Sequence, residues 1–458
     1  MSKKLNQQSN KCWDVIVVGG GAAGLMAAIH AARAGAHVLV LEHMERPGKK
    51  LLMTGNGKCN FTNEALLHFD EWQDETDCEK YYHGSRPAFV LSALKKFNIE
   101  STLNFFEDLG VLAMQRRGGY YPMSGQASAV LDAMLMECGR LGISIKCEIG
   151  IRSIHKAEKN CKIEGCVDKC APDVFTIETK TGTYKAQTCI LATGGKSYKK
   201  TGSDGSGFLY VERFGHPIQD LVPALVPLQS NLAFFKKVAG IRAEISIKIY
   251  IDGAEFGCES GELQLTDYGI SGICVFQISS FASRALRAGK EVLAELNFLP
   301  KLTDEDAFTQ IMKRAGSVYA GNKTMEQCML GMLADRLGSA LLAEAQIPSS
   351  QMSRDLTAEQ AKRLVACIRH FRVPIASTRS FEQAQVTAGG VDTRQVSPDT
   401  MESEKIPGLY FAGEMLDVDG ICGGFNLQWA WSSGAVAGMH AAGHCTGKQT
   451  DDKKGSNR

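Results

Sequence analysis

Hydrophobic patterning along the chain first predicts a short strand, a helix and a second strand. From Asp14 the sequence runs through four apolar residues, Val15–Val18, into a glycine turn. An apolar helix-length stretch follows to about Ala34, then a second apolar run, Val38–Leu41. Short, wholly apolar runs flanking a helical segment read as buried parallel strands, so this is a βαβ unit. Helices are predicted near Pro87–Phe97 and over 127–141. In the second, Val130, Leu131, Met134, Leu135, Cys138 and Leu141 share one face as core packing. Alternation predicts strands over 143–153 and 173–179, and Thr188–Ala192 ends in another glycine turn. The acidic stretch 64–80 reads as a surface loop. Residues 217–256, rich in Pro and β-branched types, predict a small β unit, and 275–345 carry helical spacing with few β-branched runs. Strand, glycine loop and helix return over 376–443, which predicts a discontinuous first domain. The polar ends, 1–12 and from Gly447, are expected to be loose tails.

Composition narrows the class. The 458 residues are 44% hydrophobic and 22% charged, enough apolar content for large cores. Fifty-one Lys and Arg against 50 Asp and Glu leave a net +1, without the broad basic field that phosphate backbones require, so no nucleic-acid partner is expected. Fifteen scattered cysteines, an odd number in a long chain, read as reduced thiols. Lys3 and Lys4 before an apolar run imitate a signal peptide, but Gly19, Gly20, Gly21 and Gly24, then His30 and Arg33, interrupt it. A cytoplasmic protein without a membrane span is the expectation.

The first turn carries chemistry. Gly19-x-Gly21-x-x-Gly24 follows a strand and opens a helix. The first glycine permits the turn, the second lets a pyrophosphate approach the backbone, and the third brings helix and strand close. The helix N-terminus adds free N–H groups for phosphate. Glu42 ends the second strand, a little over twenty residues on, where a carboxylate accepts from a ribose diol. The alternative is a glycine-rich core turn with no ligand. Near the other end, Gly408-Leu409-Tyr410-Phe411-Ala412-Gly413-Glu414 reads as a strand with an acid beyond its tip. The loop Asp417–Asn426 then leads into a helix from Leu427 to about His440. An acid there suits a ribityl hydroxyl, and a helix N-terminus behind a glycine loop suits the N1–C2=O edge of a flavin. NAD needs no such distant second clamp.

On these stretches, with Lys50–Asn63, Ala192–Gly195, Leu265–Gly272 and Val386–Val391, the chain resembles the two-dinucleotide-binding-domain flavoproteins. Within them it is similar to the HI0933-like family of NAD(P)/FAD-dependent oxidoreductases. The resemblance implies an α/β, Rossmann-like FAD-binding domain over 1–200 and 376–445. It also implies an inserted β-barrel over 201–274 and 350–375, a helical insertion over 275–349, and a disordered tail over 446–458. It further implies FAD contacts from Gly19, Gly21, Ala22, Ala23, Gly24, Glu42, Lys50, Thr54, Gly55, Asn56, Cys59, Asn60, Thr193, Gly194, Gly413, Glu414, Gly424, Asn426 and Leu427. The chain departs from the family at Lys58, Asp267 and Ile273, where Arg, His and Pro are usual. Asp267 cannot serve as a neutral imidazole donor.

Disulfide reductases keep two cysteines beside the flavin, but here Cys59 stands alone in its segment, with Cys422 a remote second thiol. The spacing of Cys161, Cys166 and Cys170 matches no common zinc or cluster pattern, and no metal is expected. Gly202-x-x-Gly205-x-Gly207 lacks the strand and acid of a second nucleotide fingerprint, so NAD(P)H would dock transiently. The simplest cycle passes hydride from NAD(P)H through flavin N5 to the β-carbon of an activated alkene, with an acid protonating the α-carbon. Tyr120, Tyr121 and Tyr268 are candidate acids, or else aromatics at a domain seam. Arg116 and Arg117 are candidate anchors for a substrate carboxylate or a nicotinamide phosphate, or solvated surface. Phe234, Phe235, Phe276 and Phe281 either wall an apolar pocket or pack a core. The family resemblance makes a small hydrophobic enone the expected substrate, concretely a 3-oxo-4,6-diene or 4-ene bile acid. A flavin oxidase of small amines and a redox-sensing flavoprotein without turnover are the alternatives. Nothing in the sequence sets the oligomeric state.

Overall fold

Val15–Val18, all buried, form the carboxyl half of strand β1 (Cys12–Val18). On one side β1 pairs in parallel with β2 (Val38–Leu41), and β2 with β3 (Ser144–Lys146). On the other it pairs in parallel with β6 (Thr183–Leu191). Strand β6 also carries the antiparallel pair β5 (Phe175–Thr179) and β4 (Ile151–Lys156), and, at its carboxyl end, the parallel β7 (Leu409–Phe411). The central strands are apolar because helices cover them. This is the expected α/β, Rossmann-like sheet. The computed structural model describes residues 12–72, 74–156, 174–316 and 322–446, so Cys161, Cys166, Cys170 and the tails 1–11 and 447–458 lie outside the described residues, while Cys12 opens β1 and Thr446 closes the last helix.

Helix α1 (Ala22–Arg33) packs against the long helix Phe425–Thr446 backbone to backbone. A Cβ on Gly434 would lie 2.5 Å from Ala23 O, and one on Gly438 2.2 Å from Ala27 O. Glycines four apart share one helix face, so this spacing is what lets the axes approach. Trp429 and Trp431, both buried, each donate their indole N–H to a backbone carbonyl, Gly413 O at 3.1 Å and Phe61 O at 2.9 Å.

The chain divides into two compact units, residues 1–221 with 386–458, and residues 222–385. The second unit is built on a seven-stranded antiparallel sheet. Its order is Phe371–Pro374, Val292–Asn297, Arg242–Ile251, Ala254–Thr266, Gly269–Gly272, Leu228–Gln229, Ser377–Thr378. Helices Ile273–Arg287, Asp304–Gly316, Asp335–Glu344 and Ala358–Arg369 complete it.

Two local expectations are corrected. Residues 64–80 form a 3-10 helix, Glu64–Glu71, and a short α-helix, Glu75–Glu79, because Leu66, Phe69 and Cys78 are buried and Asn63 and Asp74 cap the turns. Val292–Asn297 is a strand inside a stretch read as helical, its alternate residues buried on the sheet. Of the two readings of Phe234 and Phe235, core packing is the one seen: both are buried, and the Phe234 and Phe371 ring centroids lie 4.4 Å apart.

Candidate functional site

The carboxyl ends of β1, β2, β6 and β7 point the same way, and the chain leaves β1 in opposite directions toward β2 and β6. That switch in strand order is where open α/β sheets form their ligand crevice. Backbone bonds extend the ladder past the strand ends: Gly19 N to Leu41 O, Ala192 N to Val18 O, and Ala412 N to Leu191 O, at 2.8, 2.9 and 3.0 Å.

The fingerprint glycines have three separate tasks. Gly19 has φ +103°, and a Cβ there would lie 2.4 Å from Ala192 O. At Gly24 a Cβ would lie 1.9 Å from Gly19 O, so only glycine lets α1 sit on the turn. Gly21 faces open space, with no atom within 4 Å of its Cβ position. It is the N-cap of α1, whose first-turn N–H groups have no side-chain cap. Ala22 and Ala23 open the helix.

Glu42 is nearly buried and accepts from Gly20 N at 2.7 Å and Met44 N at 2.8 Å. Burial alone would raise its carboxyl, but His43, 3.2 Å away, and the two backbone donors outweigh it and hold the group below its ordinary value. Oε1 is taken by Met44 N and His43 Nδ1, whereas Oε2, bonded to Gly20 N, keeps a second lone pair for a ligand.

The far acid stands close by. Gly413, φ +73°, would place a Cβ 2.7 Å from the Cβ of Ala23, so the Gly413–Glu414 turn rests on the opening of α1. Glu414 Oε1 accepts from Thr387 N at 2.8 Å, and Lys50 Nζ lies 2.6 Å from Oε2. Thr387 Oγ1 accepts from Lys196 N and Ser197 N, just past Thr193 and Gly194. Lys50, Thr193, Gly194, Thr387 and Glu414 therefore form one cluster. Thr387 and the 196–197 amides were not foreseen; the close-packed Gly195, whose Cβ would meet Thr387 Oγ1 at 2.4 Å, was the available signal.

Thr54–Cys59 bends through Gly55, Asn56, Gly57 and Cys59, all at φ between 55° and 82°. Positive φ at Asn56 and Cys59 is costly and is retained only where surroundings enforce it. Burial pushes the Cys59 thiol up to about 12 and also raises Cys422, and neither is in a disulfide, so neither is a ready nucleophile. The Asn60 amide lies against Gly119, where a Cβ would be 2.6 Å from Oδ1. Two buried oxygens, Asn60 Oδ1 here and Ser203 Oγ in the Gly202–Gly207 turn, have no hydrogen-bond partner among the described residues. Gly424 is pressed on Thr62 O, and Asn63 Nδ2 donates to Gly423 O at 2.7 Å, joining this segment to the loop before helix Phe425–Thr446. Asn426 spends its amide on both backbone groups of Gly420, so it holds the loop, while Leu427 is half-buried against the core.

Of the candidate acids, Tyr121 is half-buried, with its ring edge 3.6 Å from the Cβ position of Gly55. Burial and the neighbouring Cys422 push its phenol up, while Arg116 pulls it down. Tyr120 packs on the core of the first unit. Tyr268 belongs to the second unit, where Arg379 lies over its ring, 4.6 Å from the centroid. Asp267, Arg116 and Arg117 are exposed. Among the described residues, no group of three His, Cys, Asp or Glu is placed to hold a metal ion, and no helix is long and apolar enough to cross a membrane.

The chain is 38% identical over 93% of its length, and 98% of the relative's, to the 3-dehydro-bile acid delta(4,6)-reductase of Clostridium scindens. It is 29% identical to the ribosomal RNA dihydrouridine synthase of Escherichia coli, over 92% of this chain and 96% of that one. Because that relative bears an RNA activity, kinship does not uphold the exclusion of nucleic acid drawn from the balanced charge. The 3-ketosteroid delta1-dehydrogenase of Sterolibacterium denitrificans, solved with 1,4-androstadiene-3,17-dione, shares the fold, with a TM-score of 0.50 at 12% identity, covering 95% of this chain and 100% of that one. The match to the family described as HI0933-like protein Rossmann domain spans residues 13–440, and the chain belongs to that family.

Proposed function

We propose that this protein is an FAD-dependent reductase that uses NAD(P)H to saturate a C=C bond conjugated to a carbonyl in a small hydrophobic substrate. The observation that carries this is the approach of Gly413–Glu414 to the first turn of α1, which sets two acids, Glu42 and Glu414, at the carboxyl ends of strands in one sheet. A dinucleotide fits the residues present: Gly21 leaves its Cβ space clear, and Asn60 Oδ1 and Ser203 Oγ are buried without partners. Glu42 would hold the adenosine ribose, Gly21 and the N-terminus of α1 the pyrophosphate, and Lys50 with Glu414 the ribityl end. Gly424 and the start of the long helix would face the flavin's N1–C2=O edge. When bound, FAD supplies at N5 the hydride, taken from NAD(P)H, that adds to the β-carbon of the enone.

The remaining work falls to side chains. Tyr121, kept protonated by its burial, would give its phenol proton to the α-carbon as the enolate collapses. Exposed Arg116 beside it would meet a substrate carboxylate. With Cys59 and Cys422 outside any disulfide and their thiols protonated, no disulfide relay is required, and the reduced cysteines of the described chain suit the cytoplasm.

Both activities named for the relatives above saturate a double bond conjugated to a carbonyl, so the reaction type is better supported than the substrate. The higher identity favours a 3-oxo-4,6-diene or 4-ene bile acid. Anaerobic incubation with NADH or NADPH and a 3-oxo-4,6-dienoyl bile acid tests this directly. Loss of dienone absorbance supports the assignment, and conversion of ribosomal RNA uridine instead would replace the substrate.

A further inference from the structure

The glycine turn Gly202-x-x-Gly205-x-Gly207 enters the reading above only through the unpaired oxygen of Ser203, and it is tightly seated. A Cβ on Gly207 would lie 1.9 Å from Thr193 Oγ1, and one on Gly202 3.0 Å from His43 Cε1. The turn is therefore pressed against both the loop that follows β6 and the segment that follows Glu42. Between those contacts sits Ser203, only 5% exposed. Its hydroxyl oxygen is buried and has no hydrogen-bond partner among the described residues.

That oxygen lies close against a glycine, with a carboxylate nearby. At Gly194, φ +72°, a Cβ would lie 3.1 Å from Ser203 Oγ and 3.7 Å from Glu414 Oε2. A hydroxyl and a carboxylate thus both border the same glycine. A buried, unpaired hydroxyl is a liability that alanine would remove, so its presence here points to a partner that arrives with a ligand. The carboxylate at the same glycine disfavours a phosphate oxygen and favours a neutral hydroxyl, which can donate to Glu414 or exchange a hydrogen bond with serine.

We infer that Ser203 is a cofactor-positioning residue whose hydroxyl bonds a hydroxyl of the ribityl chain of FAD, alongside Glu414. This rests on the FAD reading given above, and the test separates the two. Apoprotein, wild type and Ser203→Ala, is titrated with FAD and with FAD analogues lacking single ribityl hydroxyls, following flavin fluorescence. Loss of one hydrogen bond weakens FAD binding by Ser203→Ala about tenfold. One deoxy analogue weakens wild type by a similar factor and costs the variant nothing more, because the two deletions remove the same bond. The Ser203→Ala apoprotein melts no lower than wild type, since it loses only an unpaired group. Equal affinity in the two proteins, additive losses for every analogue, or a parallel fall in apoprotein melting temperature would overturn the role of Ser203. Failure of the wild-type arm to bind FAD would overturn the cofactor reading itself.

Discussion

Lys50 Nζ lies 2.6 Å from Glu414 Oε2, an ion pair between residues 364 positions apart in sequence. It ties the segment after the first βαβ unit to the turn after β7, and Thr387 N fixes the other carboxylate oxygen. Both side chains are partly shielded, at 24% and 19% exposure, so the pair is worth more than a surface contact and less than a buried one. On the proposed function it also moderates the carboxylate's repulsion of an anionic cofactor.

Lys50→Met should therefore weaken FAD binding roughly tenfold, about 1.4 kcal/mol. Glu414→Gln should weaken it through lost acceptor strength, and the double variant should be less impaired than the sum of the two. Fluorescence titration of the four apoproteins measures the coupling; strict additivity would mean the pair does not act as a unit.

Gly21 and Gly24 should respond differently to the same methyl group. Gly24→Ala puts a Cβ within 1.9 Å of Gly19 O and should destabilise the fold by about 1–3 kcal/mol in urea unfolding. Gly21→Ala meets nothing within 4 Å at ordinary φ, so its unfolding midpoint should stay near wild type while FAD affinity falls.

These glycines also show how far the sequence can be read. The βαβ unit, Glu42 and the strand before Glu414 were legible because burial on both faces writes itself as short apolar runs, and close backbone approach writes itself as glycine. Val292–Asn297 was not: Leu, Ala, Glu and Asn carry little strand preference, and its state is imposed by pairing with Ser246–Ile251. Thr387 and Ser203 were missed for another reason. Single small polar residues have no periodicity, and only folding shows that one receives two backbone amides and the other lies against a glycine.

Tyr121→Phe removes the proton donor while leaving its packing beside Gly55. The variant should bind FAD and be reduced by NAD(P)H as wild type is, yet turn over enone about 10²–10⁴-fold more slowly. Anaerobic stopped-flow, reading the reductive and oxidative halves separately, checks this. An equal slowing of both halves would remove Tyr121 from the protonation step.

Glu137 joins helix Ala127–Arg140 to α1 through Arg33, at 2.8 Å, and also pairs with Arg140. The Arg140 guanidinium, against the cost of burial and with help from Arg33, holds its carboxyl down at about 2. A depressed carboxyl stabilises the fold above its unfolded pKa, near 4.5, and that contribution fades as pH falls toward about 2. Wild type should thus lose melting temperature across this window more steeply than Glu137→Gln. Parallel curves would show that the ion pair adds nothing to stability.

The central claim is that two distant stretches of this chain hold one FAD. The most direct measurement is the cofactor released by denaturing the purified protein, quantified per chain, together with the visible spectrum under nitrogen before and after NADH or NADPH. The account predicts a flavin spectrum, bleaching by at least one nicotinamide, and FAD at one per chain, with Glu42→Gln and Glu414→Gln each lowering the retained FAD. Protein that takes up no flavin even when supplied with FAD, or binds FMN equally well, would contradict it.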